Sequence, residues 1–228
     1  MIPLKDDNPL RNTPIVTIAL VVVNVLVFIY EFQLGLQGGG GLDGFFDRYS
    51  FDYGELASGV GRHGLTLTTL APLFTHMFVH ANWLHVGGNM LYLWIFGNNV
   101  EDRLGGARFL VFYLLCGVGA ALGQGLLAPG PMVGASGAIA GVLGAYLVMF
   151  PGSRVSTLIF LGIFITVLQL PAILVIGFWI VEQLVAGLGE LRMASHAAGG
   201  VAYYAHIVGF FLGIPLLFVL RPARARSY

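Results

Sequence analysis

The chain has 228 residues, is 57% hydrophobic and only 10% charged, and its formal charges cancel at pH 7. With a mean hydropathy of +0.84, that balance excludes a soluble domain held by one tail anchor and points to a polytopic membrane protein. Zero net charge implies no nucleic-acid partner, and the single cysteine, Cys116, excludes a disulfide framework or a cysteine metal site.

Residues 1–14 read as a polar tail carrying Lys5 and Arg11. The apolar run from Ile15 to Phe32 is long enough to span a bilayer. It reads as helix 1 rather than a signal peptide, because no small-x-small cleavage site follows near Gln33. Residues 33–83 form a long extracytoplasmic first loop with Phe45, Phe46, Tyr49, Phe51 and Tyr53 among charged neighbours, which suits a segment at the headgroup level. Helix 2 is expected from about Leu84 to Val100, and helix 3 from about Ala107 to Ala128, where Pro129-Gly130-Pro131 ends it. Helix 4 lies within residues 131–151 and stops at Pro151-Gly152. Residues 155–170 are apolar but short, so they read as an interfacial or re-entrant piece. Helix 5 runs from about Ala172 to Leu188, helix 6 from about Val201 to Leu220, and residues 221–228 form a second tail.

The expected class is therefore all-α, a six-transmembrane-helix bundle forming one domain over residues 1–228, with short tails and no separate regulatory domain. An even number of spans puts both termini in one compartment, together with the 101–108 and 151–155 connections. That compartment holds eight of the eleven Lys and Arg residues, and Arg48, Arg62 and Arg192 lie on the other side. By the positive-inside rule the termini are expected to be cytoplasmic, in a plasma membrane of bacterial type.

Polar side chains inside spans are functional-site hypotheses, and four stand out: His85 and Asn89 on helix 2, Ser136 on helix 4 and His206 on helix 6. At ~1.5 Å per residue, Ser136 and His206 both sit roughly 21 Å above the cytoplasmic ends of their helices. His85 and Asn89, at about 22 and 16 Å, bracket that level, on the order of 9 Å below the outer surface of a core about 30 Å thick. His85 and Asn89 share a helix face. Gly209 and Gly213 lie under His206, and Gly137 and Gly141 follow Ser136, so two small-residue stripes can bring those helices together. Ser136 then suits a nucleophile and His206 its general base. The Ser136 N–H, the Asn89 amide and the His85 ring suit donors to an oxyanion. No carboxylate shares this depth on helices 2, 4 or 6; Glu182 on helix 5 is the nearest intramembrane acid, and a dyad is the economical reading.

Each residue alone has a plainer account. Ser136 can cap its helix, Asn89 can join helices, and His206 can relay protons in a transporter. His76, His80 and His85 have a metal-like H-x3-H-x4-H spacing, but no Cys or acid complements them, and His76 and His80 read better as loop hydrogen-bonding groups.

The set as a whole resembles the rhomboid family of intramembrane serine proteases over roughly residues 70–220. Gly134-Ala135-Ser136-Gly137 resembles the family's GxSG, Ala205-His206 with Gly209 and Gly213 its AHxxGxxxG, and His85-x3-Asn89 its HxxxN. His76 and His80 match a histidine pattern upstream, and Glu101-x-Arg103 an ExR element. The resemblance implies a serine-type endopeptidase that cleaves transmembrane protein substrates near their outer ends from a water-filled cavity. It implies Ser136 as nucleophile, His206 as base, His85 and Asn89 as oxyanion stabilisers, and no cofactor or metal. The sequence departs from the pattern at Ala71-Pro72, where a Trp-Arg pair is common, and at Ala140, where an aromatic often packs on the histidine. Helix 5 is the element expected to admit substrate, and the 189–200 loop, with Met193 and His196, to cap the cavity. Small residues (Gly87, Gly88, Gly134, Gly137, Ala140, Gly141) are expected to leave room for water. The alternative readings are a catalytically inactive relative that binds transmembrane helices and, with no internal repeat to support it, a channel or transporter.

Overall fold

A computed structural model describes residues 1–162, 164–193 and 200–221. His196, expected in a capping loop, and Arg224 and Arg226, two of the basic residues expected on the cytoplasmic side, lie outside the described residues. The chain opens with strand β1 (Ile2–Asp6) and helix α1 (Ile15–Gln37). The first loop carries short helices α2 (Gly41–Tyr49), α3 (Tyr53–His63), α4 (Leu67–Leu70) and α5 (Pro72–Thr75), with a 3-10 turn at His76–Phe78. Then come α6 (Trp83–Tyr92), a π-helical turn at Leu93–Gly97, α7 (Asn98–Leu104), α8 (Gly106–Leu127) and α9 (Ser136–Met149). Strands β2 (Arg154–Leu161) and β3 (Phe164–Pro171) precede α10 (Ala172–Met193) and α11 (Tyr203–Leu220).

Four helices among the described residues, α1, α8, α10 and α11, are long and apolar enough to cross a membrane. The other two expected spans differ in build. The α9 helix is apolar but has 14 residues, and the segment expected as helix 2 is α6, the π-helical turn and α7 joined end to end. Lipid-facing character is plain on α1, where Ile15, Leu26 and Leu36 are exposed apolar side chains.

The α9 helix is the centre of the packing, since every residue from Gly137 to Tyr146 is buried. Its small residues set how closely α11 approaches: a Cβ at Gly209 would overlap the Gly137 carbonyl oxygen, and one at Gly213 the Gly141 carbonyl oxygen. On another side, a Cβ at Gly141 would overlap Sγ of the buried Cys116 on α8. Thus Gly137 and Gly141, expected to leave space for water, are consumed by helix contact, and Ala140 is fully buried. Only Gly87 and Gly88 of that set are exposed, and a Cβ added at either would meet nothing within 4 Å.

Carboxylates fasten α1 at both ends. Glu101 accepts hydrogen bonds from Val16 N (2.9 Å), Thr17 N (2.7 Å) and Thr17 Oγ1 (2.7 Å), which satisfies first-turn donors and places negative charge at the positive end of the helix dipole. Near the other end, Glu31 accepts from the His80 backbone N–H at 3.2 Å.

One correction to the all-α expectation is a three-stranded antiparallel sheet in the order β1-β2-β3. The expected interfacial or re-entrant piece is a β-hairpin, with Arg154 opposite Pro171 and Leu161 opposite Phe164, and β1 pairs Ile2 with Leu158. Gly162, with φ of 64°, takes the left-handed turn that most side chains disfavour. Beside the sheet, Asp6 accepts from Tyr146 Oη (2.7 Å) and Asn99 Nδ2 (2.8 Å), which ties the N-terminal strand to the C-terminal part of α9 and the start of α7.

Candidate active site

Ser136 is the first residue of α9, half-buried, and its N–H lacks a helical carbonyl four residues back. The preceding backbone is what aims it. Gly134 has φ of 116°, its N–H donates to the His76 carbonyl at 2.8 Å, and the Ala135 N–H donates to His80 Nε2 at 3.5 Å. The first-loop histidines therefore support the stretch leading into Ser136 from behind. His76 is further held by its Nδ1–H donating to the Pro72 carbonyl at 2.9 Å. Pro72, one of the residues that departs from the common pattern, starts α5 and so supplies an anchor of a different kind. Burial pushes His76 down to about 4, against that hydrogen bond, and burial with repulsion from His85 pushes His80 down to about 3. Both rings stay neutral at physiological pH.

On the other side of Gly134 stand His85 and Asn89. A Cβ at Gly134 would lie 2.6 Å from both Cε1 and Nε2 of His85 and 3.6 Å from Nδ2 of Asn89. Only glycine fits between these side chains and the approach to Ser136. Asn82 caps α6 by accepting from His85 N at 2.9 Å, which fixes the helix start that orients both residues. His85 Nδ1 accepts from Ala81 N at 3.4 Å, so the ring proton belongs on Nε2, the atom that faces Gly134. Asn89 Nδ2 is buried and, among the described residues, has no hydrogen-bond partner.

His206 reaches this region from α11. Its neighbour Ala205 lies against Gly137, with Cβ and carbonyl oxygen each 3.7 Å from a Cβ built there. The Ala205 N–H donates to Gln124 Oε1 at 3.0 Å, so α8 positions the start of α11. His85 and Asn89 thus border the stretch 134–137 that contains Ser136, and the residue before His206 touches that stretch at Gly137.

Two contacts to His206 were not expected from the sequence. His206 Nδ1 donates to Gln183 Oε1 at 2.7 Å, and the Trp179 ring stands 5.6 Å from the imidazole, tilted by 35°. Both come from α10 and are i,i+4 neighbours, hence on one face. Trp179 provides an aromatic beside the histidine although position 140 is alanine. Glu182, the acid singled out from the sequence, is exposed, and the adjacent Gln183 is the buried residue. An intramembrane glutamine one helical turn from a tryptophan was the available signal. Among the described residues, no three or more His, Cys, Asp or Glu side chains are arranged to hold a metal ion.

The fold defines a multi-pass integral membrane protein with polar side chains gathered at the start of a buried central helix. A Rhomboid domain model matches residues 68–223, and the chain belongs to the rhomboid family. It is 30% identical over 151 residues to rhomboid-like protein 11, chloroplastic, of Arabidopsis thaliana, covering 64% of this chain and 51% of that one. RHOMBOID-like protein 4 of the same plant is 31% identical over 218 residues, 88% of this chain and 51% of the relative. Rhomboid protease GluP of Bacillus subtilis is 39% identical over 82 residues, 36% of this chain and 16% of the relative. The chain thus spans about half or less of the length of these curated relatives.

Proposed function

We propose that the chain is an intramembrane serine endopeptidase acting on transmembrane segments of other membrane proteins. The observation that carries this reading is the buried Asn89 Nδ2, without a hydrogen-bond partner among the described residues and set with the His85 Nε2–H beside Gly134, two residues before Ser136. A buried donor without a ground-state partner costs about 1–3 kcal/mol, and an oxyanion formed next to it recovers that cost in the transition state.

Ser136 Oγ attacks the scissile carbonyl carbon while His206 Nε2 takes its proton. The carbonyl oxygen becomes the oxyanion, held by Asn89, His85 and the Ser136 N–H. The C–N bond then breaks, His206 protonates the departing amine, and an acyl-serine remains. Water adds to that ester, giving its proton to His206, and the Ser136 oxygen leaves with the proton returned. No cofactor enters the cycle.

In this reading the chain is one membrane domain with a six-helix core, the π-interrupted α6–α7 run and short α9 acting as spans. Both termini are cytoplasmic, in a membrane of bacterial type, and residues 33–83 are extracytoplasmic. Substrate enters beside α6, where Leu84, Gly87 and Gly88 are exposed, with α10 moving aside.

The test is reconstitution in liposomes with a panel of single-span proteins that carry helix-destabilising residues near the outer end of the span. Cleavage by wild type and none by Ser136→Ala supports the proposal. Stable capture of spans by wild type, with intact substrate throughout, would instead favour a non-cutting binder.

A further inference from the structure

Resting on the Ser136–His206 reading, we infer that Gln183 is a positioning residue for catalysis, holding His206 in the tautomer and orientation that let it accept the Ser136 proton. An imidazole acts as base only through a nitrogen with a free lone pair, and its other nitrogen must then carry the proton. Gln183 Oε1 accepts from Nδ1 at 2.7 Å, which leaves the lone pair on Nε2. The reversed amide would donate to Nδ1, move the ring proton to Nε2, and leave His206 unable to take a proton from serine.

The surroundings favour a persistent contact. Gln183 and His206 are 7% and 9% exposed, so little water competes for either group. Trp179, one turn earlier on α10, restrains the ring from a second direction. The Tyr204 hydroxyl donates to the Gly187 carbonyl at 2.6 Å and ties α11 to α10 one turn beyond Gln183, which limits relative rotation of the two helices. Gln183 thereby takes the orienting part played by an acid in a Ser-His-Asp triad, with a neutral acceptor that carries no desolvated charge.

A plain packing role for Gln183 makes a different forecast. Methionine is close to glutamine in volume and suits an apolar helix contact, whereas glutamate introduces a buried charge. Packing therefore ranks Gln183→Met above Gln183→Glu, and an acceptor role ranks them the other way. The experiment is the rate of covalent fluorophosphonate labelling of the full chain in detergent, alongside thermal unfolding. Gln183→Met should label on the order of 10- to 100-fold more slowly than wild type with its melting transition retained. Gln183→Glu should recover most of the rate even where its melting temperature is the lower of the two. Equal rates for Gln183→Met and wild type, or a glutamate variant no faster than the methionine variant, would overturn the inference while leaving the dyad standing. Wild-type labelling no greater than that of Ser136→Ala would overturn the dyad and this inference with it.

Discussion

Replacing Gly209 by alanine separates the geometry of the site from the stability of the fold. The added Cβ would overlap the Gly137 carbonyl oxygen, and restoring van der Waals distance requires α9 and α11 to part by roughly 1 Å. Overpacking of this kind costs about 1–3 kcal/mol, offset by about 1 kcal/mol because alanine is the better helix residue. The net loss of stability is therefore modest. Activity has no such offset. Gly209 lies three residues after His206 and Gly137 one after Ser136, so the separation falls directly on the distance between the proposed nucleophile and the proposed base. A misplacement of about 1 Å can cost on the order of 100-fold in rate. Fluorophosphonate labelling and thermal unfolding in the same detergent measure both quantities. Gly177→Ala on α10, where a Cβ meets nothing within 4 Å, is the control and should leave the labelling rate unchanged. A Gly209→Ala protein that labels within about threefold of wild type would refute the claim that this contact sets the geometry of the dyad.

Gly134→Ala should suppress labelling even more strongly, because it combines a φ of 116° with a methyl driven into the His85 ring; retention of wild-type rates would show that the ring does not border the reacting centre. Asn89→Ala should lower the rate on the order of 100- to 1,000-fold with little change in melting, and a parallel loss of stability and rate would mark Asn89 as structural instead. The protein should lose stability on acidification, since burial holds His76 down at about 4, and burial with repulsion from His85 holds His80 down at about 3. The unfolded rings, at about 6.5, bind protons first, so stability falls as pH drops below that value. At pH 5 the loss is about 2 kcal/mol for each ring, read as a lower melting temperature; a flat profile from about pH 7.5 to 5 would count against it.

Ser136, His206, His85 and Asn89 were legible because each is a polar residue in an apolar run, and their depths can be counted along single helices. The glycine stripes were legible for a similar reason: Gly137 and Gly141 close the helix contact expected of them, and for that reason do not leave the room for water that was also expected there. Gln183 and Trp179 were not legible, because their part depends on how α10 is rotated about its axis against α11. In the sequence Glu182 is the conspicuous residue of that helix by its charge, yet it faces outward. The β-hairpin left a trace in the β-branched Val155, Thr157, Ile159, Ile165, Thr166 and Val167 on either side of Gly162. The uniform apolarity of the segment masked it, because the two-residue alternation that marks a half-buried strand is absent. Strand β1 could not be read at all, since its five residues become a strand only through pairing with β2, some 150 positions away.

The central claim is an activated serine, and its most direct measurement is fluorophosphonate treatment of the purified protein followed by peptide mass mapping. One adduct is expected, on Ser136, abolished in Ser136→Ala and lost in His206→Ala while both variants keep their helical circular dichroism. Folded wild-type protein that acquires no adduct on Ser136, or a His206→Ala protein that labels as fast as wild type, would contradict it.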